Sequence, residues 1–540
     1  MRSTGAPINI GLLFDWHAAR TRQTVVHLDR PFDVAPDAGT TLDGAALAAL
    51  VRDLSDCLYA AGLRYGDRLA IVKDNHFDVV LTAAAGARIG ALPAMMAPIA
   101  SIEAIRTMIE RVDPKVLVAG TNILGRAAAA GIALAGSAVP VIAVGPPAPD
   151  PAASGGHLRL AELRGGAAAP VRVRGDDEPM IVTHTSGTTG VPKLVVHSPF
   201  TALGGLPYRL ESLRLPLLTS KRGDVVASAI SFAHMRGLSW TRSQLTLAPR
   251  AMVVISRPDL DNVAEVLARH RPTSLEALPN VFQRWEELAA RKPDLFAQVK
   301  RFISTFDAVH PRTLCTFLGA SRRRLPVWAW GLGQSEIAGF TFNVFTRRTV
   351  RGRRRPRLDV TNLGWPALVK VRIVDPASGR PQRRGRPGLI MVDTKTRCLT
   401  YLGEADRHLA KVDGPWWNTG DLGERAGLGR FRLVDREVDM VPGMSCIEVE
   451  STLLDRLERA AEVVVLAVPD GPPVPVLCMR DDRLEPGEWA RATDGLPDLA
   501  EPRIVPWDDV PRTATWKVRR AELRERLLGA AAGRGTGRWT

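Results

Sequence analysis

The stretch HTSGTTGVPK, from His184 to Lys193, sets four hydroxyl side chains and two glycines between short apolar runs and ends on a lysine. Thr185, Ser186, Thr188 and Thr189 can donate to oxygen, Gly187 and Gly190 let backbone amides approach a ligand, and Lys193 adds positive charge. The natural guest is phosphate. It is not a Walker loop, because Val191 and Pro192 separate Gly190 from Lys193. Taken alone, such a loop reads as a polar hairpin turn, so the rest of the chain has to decide. Four further stretches carry charge at intervals: GQSE (Gly333, Gln334, Ser335, Glu336), WNTGD ending at Asp421, DREVD around Arg436, and PRTATWKVRRAEL around Lys517. Singly, these are surface acids, a salt-bridge arginine and one more lysine on a basic helix.

The elements around them place these groups on loops. MIVT before the first stretch and LVVHS after it read as buried strands. From about residue 68, apolar strands alternate with amphipathic helices: RLAIVK, FDVVLTAAAGARIG, KVLVAG, PVIAVG, and later DVVASA, AMVVIS, LDNVAEVLARHR, SLEAL, VFQRWEELAAR, FISTF and VWAWG. Such alternation implies an α/β fold of parallel sheets covered by helices, with ligands beyond the strand carboxyl ends. After about residue 360 the texture changes to strand and turn, which predicts a barrel-like subdomain over about 360–430 within a large N-terminal domain, 1–435. A small mobile α+β domain, 436–528, and a flexible tail, 529–540, complete the expected organisation.

The chain has 540 residues, enough for roughly three to five folding units of about 150 residues each. With hydrophobic residues at 45% and charged residues at 24%, the composition is globular and argues against disorder or a fibre. No apolar run predicts a membrane span, and Asp15 interrupts the start too early for a secretory core. Five scattered cysteines outline neither a disulfide framework nor a zinc site, which fits a cytoplasmic protein. The net charge of +15 permits nucleotide, coenzyme A or nucleic-acid partners. The densest basic run, Arg347 to Arg357, lacks aromatics for base stacking; it reads as a solvated loop, with docking of an acidic partner as the alternative, and nucleic acid is not an expected partner.

In this order the five stretches resemble the adenylate-forming superfamily: acyl- and aryl-coenzyme A synthetases, peptide-synthetase adenylation domains and luciferases. The resemblance spans nearly the whole chain. It implies an ATP- and Mg²⁺-dependent carboxylic acid:coenzyme A ligase, in which the acid attacks the α-phosphorus of ATP, pyrophosphate leaves, and a thiol takes the acyl group from acyl-AMP. It further implies that Thr185, Ser186, Gly187, Thr188, Thr189, Gly190 and Lys193 hold phosphates, and that Gly333, Gln334 and Ser335 line the nucleotide site. Glu336 and Thr185 would bind Mg²⁺, Asp421 both ribose hydroxyls, and Arg436 the ribose side. Lys517 would bridge carboxylate and α-phosphate. His234, in SFAHMRGL, is either the family's gate between acyl pocket and thiol tunnel or an ordinary loop histidine.

The chain also departs from the pattern. Val438 stands at the hinge position, and the loop after it is reduced to VPGM, which puts the thiol half-reaction in question. Leu332 takes the place of the adenine-stacking aromatic, with Trp330 near it in sequence. TFDAVHP replaces a glycine-rich segment, Leu194 follows Lys193, and Trp516 precedes Lys517 where glycine is usual. Three alternatives therefore stand beside the ligase: loading of an acyl carrier protein, thioester formation from a supplied acyl-adenylate, and a non-catalytic nucleotide-binding scaffold.

Overall fold

The computed structural model describes residues 5–146, 156–185, 191–215, 217–305, 307–350, 361–436, 444–468, 471–481, 483–513 and 516–529, the side chains of 435 and 436 excepted. The chain forms two compact units, each assembled from three stretches. One comprises Met1–Glu276, Gln334–Ala338 and Lys395–Ala410; the other comprises Ala277–Gly333, Gly339–Thr394 and Lys411–Thr540.

The first unit is organised by an eight-stranded sheet. Its central strands, Arg68–Val72, Leu92–Met96, Val116–Gly120 and Val141–Val144, are parallel and almost wholly apolar, as expected when both faces are covered. One face packs on the helices Ile102–Val112 and Thr121–Ala129, through Ile105, Met108, Ile109, Ile123 and Leu124. Ser101 starts the first of these helices by accepting from the Ala104 amide. The buried helix Asp78–Ile89 is rich in small residues; a Cβ on its Gly86 would come within 2.9 Å of Leu69. Gly90 closes that helix at φ 83°, and a Cβ there would meet the Arg172 carbonyl at 2.2 Å, so glycine is required twice over.

At one edge of this sheet the pattern turns antiparallel. Ile181–His184 lies parallel to Leu92–Met96 but pairs antiparallel with Leu194–His197, which in turn pairs with Thr400–Tyr401. The loop bearing HTSGTTGVPK therefore joins two neighbouring strands, as the apolar flanks predict. Its residues 186–190 lie outside the described residues. A second group of strands in this unit has Val225–Ala229 and Val25–Leu28 both parallel to Ala251–Val254. The helix Met235–Leu247, capped by the His234 side chain, follows Val225–Ala229.

In the second unit, parallel Arg301–Thr305 and Val327–Gly331 lead into an antiparallel series. Its strands are Thr341–Thr346, Asn362–Pro366, Phe431–Arg436, Trp416–Arg425, Gly388–Asp393 and Lys370–Val374. This is the strand-and-turn texture expected after residue 360. A three-stranded sheet follows, in which Ala460–Leu466 shows period-two alternation. Val463 and Val465 face the helix Cys446–Arg456, whereas Val464 and Leu466 face Leu523 of Arg520–Leu528.

Two sequence expectations need correction. Arg347 is only half-exposed and does more than meet solvent: its guanidinium donates to the Leu318 carbonyl at 2.8 Å, the Arg323 carbonyl at 3.0 Å and the Ser321 carbonyl, closing the end of the helix Pro311–Ala320. Residues 351–357 of that run lie outside the described residues. The last helix begins at Arg520, so Lys517 precedes it and sits beside a short antiparallel bridge between Arg512 and Val518. Among the described residues, no helix is long and apolar enough to cross a membrane.

Candidate functional site

Three side chains from distant parts of the first unit, His197, His234 and Tyr401, converge on Ser335 and Glu336. His197, at the end of its strand, donates from Nε2 to the Ser335 carbonyl at 2.8 Å, which leaves Nδ1 to accept from the Thr201 hydroxyl at 3.1 Å. His184 accepts the Ala97 amide on Nε2 at 3.0 Å, so its Nδ1 carries the proton and donates to the Thr185 carbonyl at 2.8 Å. Burial lowers the pKa of His184 and pushes that of His197 down to about 4. Both rings are neutral structural donors that fix the backbone at positions 185 and 335.

His234 is oriented in the same way. The Arg236 amide donates to its Nδ1 at 3.2 Å, so Nε2 carries the hydrogen and donates to Ser335 Oγ at 3.0 Å. Ser335 Oγ then donates to the His184 carbonyl at 3.5 Å. A base that activates a serine needs a bare ring nitrogen facing the hydroxyl; here a donor faces it. This pair is a positioning contact, not a nucleophile and its base.

Glu336 is buried, and Tyr401 donates to its Oε1 at 2.6 Å. The Lys193 ammonium lies 5.0 Å from the centroid of the same tyrosine ring, so Tyr401 touches both the carboxylate and the lysine. Burial, and next the Glu336 charge, raise the Tyr401 pKa well above the ordinary phenol range, keeping it a neutral donor. Lys193 is itself tied to Thr185: its amide donates to Thr185 Oγ1 at 3.2 Å, and the Thr185 amide donates to the Lys193 carbonyl at 3.0 Å. The backbone around Glu336 is held from the same side as Tyr401. The Cys398 amide donates to the Glu336 carbonyl at 2.7 Å, and Thr396 Oγ1 donates to the Ile337 carbonyl at 2.8 Å.

The first unit thus brings together Thr185, Lys193, His234, Gln334, Ser335 and Glu336 of the residues singled out in the sequence. The second unit holds Gly333, Asp421, Arg436 and Lys517. Asp421 is buried on Trp416–Arg425, its amide donates to Thr419 Oγ1 at 3.1 Å, and it stands in register with Arg436 on the neighbouring strand. The Lys517 carbonyl accepts from the Thr513 amide at 2.8 Å. Leu332 is buried, and Trp330 donates from Nε1 to the Asp307 carbonyl at 2.7 Å, tying TFDAVHP to the Val327–Gly331 strand. Ser186, Gly187, Thr188, Thr189, Gly190, the Arg436 side chain, Val438 and residues 441–443 of VPGM lie outside the described residues.

Tyr401 and His197 escaped the sequence reading. Tyr401 is 65 positions from Glu336 and His197 is 138 from Ser335, so no local periodicity could connect them. A magnesium ion is compatible with this donor set. Among the described residues no group of three or more His, Cys, Asp or Glu side chains could hold a metal by itself. Mg²⁺, however, typically takes one or two protein oxygens and completes its shell with phosphate and water. Glu336 would offer its second oxygen, and Thr185 Oγ1 a lone pair beyond the one engaged by the Lys193 amide.

Sequence and structure comparisons bear on this arrangement. A family model described as AMP-binding enzyme matches residues 14–402. The chain is 36% identical over 549 aligned residues to the 3-amino-2-hydroxy-4-methoxybenzoate diazotase of Streptomyces cremeus, covering 97% of this chain and 96% of the relative. It is 24% identical to the 4-hydroxybenzoate–CoA/benzoate–CoA ligase of Rhodopseudomonas palustris strain ATCC BAA-98 / CGA009, over 91% and 90% of the two chains. Among solved structures, the anthranilate CoA ligase AuaEII with anthranoyl-AMP aligns with a TM-score of 0.79 at 18% identity, covering 98% and 99%. ATP-bound MatB from Rhodopseudomonas palustris aligns at 0.77 and 20%, covering 98% and 100%. At such identities the structural likeness shows the fold.

Proposed function

The chain belongs to the AMP-binding enzyme family, the AMP-forming ligases of the adenylate-forming superfamily, and from that premise we propose that it is an ATP-dependent diazotase acting on an aminated aromatic acid. One observation carries this reading: the 36% identity to a diazotase runs the length of both chains, whereas the relatives named as coenzyme A ligases stand at 24–25%.

The chemistry suits an adenylating site. A diazonium group needs an electrophilic nitrogen at the oxidation level of nitrite, and nitrite, like a carboxylate, is an oxyanion. Its oxygen attacks the α-phosphorus of ATP and pyrophosphate leaves, giving a nitrosyl–AMP anhydride. The aryl amine lone pair then attacks the nitrosyl nitrogen, AMP departs, and the resulting N-nitrosamine loses water after protonation to give the diazonium ion. Most of the stabilisation required is electrostatic, since negative charge on the phosphates has to be held near an incoming anion.

Lys193 with residues 185–190 would hold the phosphates, Asp421 and Arg436 the ribose, and Lys517 the α-phosphate with the incoming oxyanion. Glu336 and Thr185 would hold Mg²⁺, which supplies charge neutralisation of the phosphates when bound. Tyr401 keeps the Glu336 carboxylate aimed, and His234 fixes Ser335 beside it. We also propose that residues 436–528 move as a small domain that presents Lys517.

A second reading keeps the adenylate but passes an acyl group to coenzyme A or to an acyl carrier protein. It is favoured by His234, which stands beside Ser335 where a gate to the thiol path is expected. Purified protein with ATP and Mg²⁺ separates the readings. AMP release that requires both nitrite and an aminobenzoate, with the diazonium trapped as an azo dye, supports the diazotase. AMP release that instead requires an aromatic acid with coenzyme A or a carrier protein, without nitrite, supports the ligase. A thioester made only from a supplied acyl-adenylate supports the thioester-only alternative, and no turnover in any arm supports the scaffold.

A further inference from the structure

Trp516, directly before Lys517, has a φ of 58°. This is left-handed backbone that a bulky residue rarely adopts unless its surroundings enforce it. The enforcement is visible. The Trp516 carbonyl accepts from Asn280 Nδ2 at 3.1 Å and from Arg512 Nη1 at 3.3 Å. Both donors are organised by one buried carboxylate: Glu462 Oε1 accepts from Asn280 Nδ2 at 2.8 Å and from Arg512 Nη1 at 3.2 Å, and its Oε2 accepts from Arg512 Nη2. Asn280, Glu462 and Arg512 are all buried.

The ring is held as well. Trp516 stacks on Trp507 with centroids 5.3 Å apart and planes inclined by 26°, and the Arg512 guanidinium lies 3.9 Å from the Trp507 centroid. On the other side of the lysine, the Thr513 amide binds the Lys517 carbonyl at 2.8 Å, and Arg512 pairs with Val518. The peptide groups on both sides of the Lys517 Cα are therefore anchored, and one anchor, Asn280, comes from a helix 236 positions away.

We propose that Asn280, Glu462, Arg512 and the Trp507–Trp516 stack are positioning residues for the adenylation step, holding the backbone of Lys517 so that its ammonium is delivered in one orientation. The inference rests on the reading of Lys517 as the lysine that meets the α-phosphate. It holds for either acceptor, because both readings share adenylate formation. None of these groups touches nucleotide on this account; they act through the lysine. Their loss should lower turnover and leave ATP binding unchanged, because misplacing a transition-state contact costs rate rather than ground-state affinity.

The test measures AMP formation and thermal stability for full-length Lys517→Ala, Asn280→Ala, Trp516→Gly and Trp516→Phe, using whichever substrate pair supports turnover of the wild type. Lys517→Ala should abolish AMP formation. Asn280→Ala and Trp516→Gly should each lower kcat by about tenfold or more with KM for ATP unchanged, and Trp516→Phe, which preserves a stacked ring, should recover most of the loss. Wild-type kcat in Asn280→Ala and Trp516→Gly while Lys517→Ala is dead would overturn the inference and leave the lysine reading standing. A rise in KM for ATP that accounts for the loss, or a loss that vanishes at a temperature where the variants are fully folded, would also overturn it. Full activity in Lys517→Ala would remove the lysine reading and the inference together.

Discussion

The Tyr401 hydroxyl donates to Glu336 Oε1 at 2.6 Å with both side chains buried, and the tyrosine ring carries the Lys193 ammonium 5.0 Å from its centroid. One aromatic side chain thus sets both the acid assigned to the metal and the lysine assigned to the phosphates. Tyr401→Phe removes the hydroxyl that bonds Glu336 and keeps the ring. It should raise the Mg²⁺ concentration needed for half-maximal AMP formation by about tenfold, the usual effect of deleting a residue that orients a metal ligand. An unchanged magnesium requirement would take Tyr401 out of the role of orienting a metal ligand.

His234 does two separable jobs: Nδ1 caps the helix Met235–Leu247 and Nε2 fixes Ser335. Asparagine can take over the cap but does not reproduce the ring's reach to Ser335 Oγ. His234→Asn should stay close to wild-type stability, while His234→Ala should lose about 1 kcal/mol in denaturant melts. Both variants should lose turnover. A variant that lacks the Ser335 contact yet turns over normally would confine the histidine to its capping role.

Asp421, buried on the Trp416–Arg425 strand and in register with Arg436, is assigned to two ribose hydroxyls. Asp421→Ala should weaken AMP or ATP binding by about 2–4 kcal/mol through loss of two charge-assisted hydrogen bonds. Calorimetric titration of the folded variant provides the measurement; unchanged affinity would remove the residue from the nucleotide site.

Acid sensitivity should appear in two windows. Burial pushes the pKa of His17 and His197 down from 6.5 to about 4. The folded state therefore binds fewer protons than the unfolded chain between those values, and stability, fully present above 6.5, falls as pH drops toward 4 by up to about 3 kcal/mol per group. Asp33 adds a lower window. Burial acts to raise its pKa, but Lys73 at 2.6 Å and Arg30 outweigh it and hold the value at about 2 against 3.8. That contribution, about 2 kcal/mol, is present above 3.8 and disappears as pH falls through about 2. Melting temperature against pH, for wild type and Asp33→Asn, checks both windows: the variant should lose the lower one and keep the upper.

The sequence by itself determined the local chemistry and its order. Hydroxyls, glycines and a lysine between two apolar runs specify a polar loop joining strands, because the period-two and period-3.6 patterns on either side depend only on neighbouring residues. The strand-and-turn texture after residue 360 was readable for the same reason, whereas Val463–Leu466 is apolar throughout and only packing separates its two faces. What the tertiary structure decided was partnership. Tyr401 with Glu336, His197 with Ser335 and Asn280 with the carbonyl before Lys517 join positions 65, 138 and 236 residues apart. Arg347 looked like part of a solvated basic run until the end of Pro311–Ala320 supplied three carbonyls for it. Trp516 looked like a mere departure from glycine until its stack and its two donors accounted for a left-handed backbone. A hydrogen bond depends on distance and angle in space, and the chain encodes such pairings only through the packing of the whole fold.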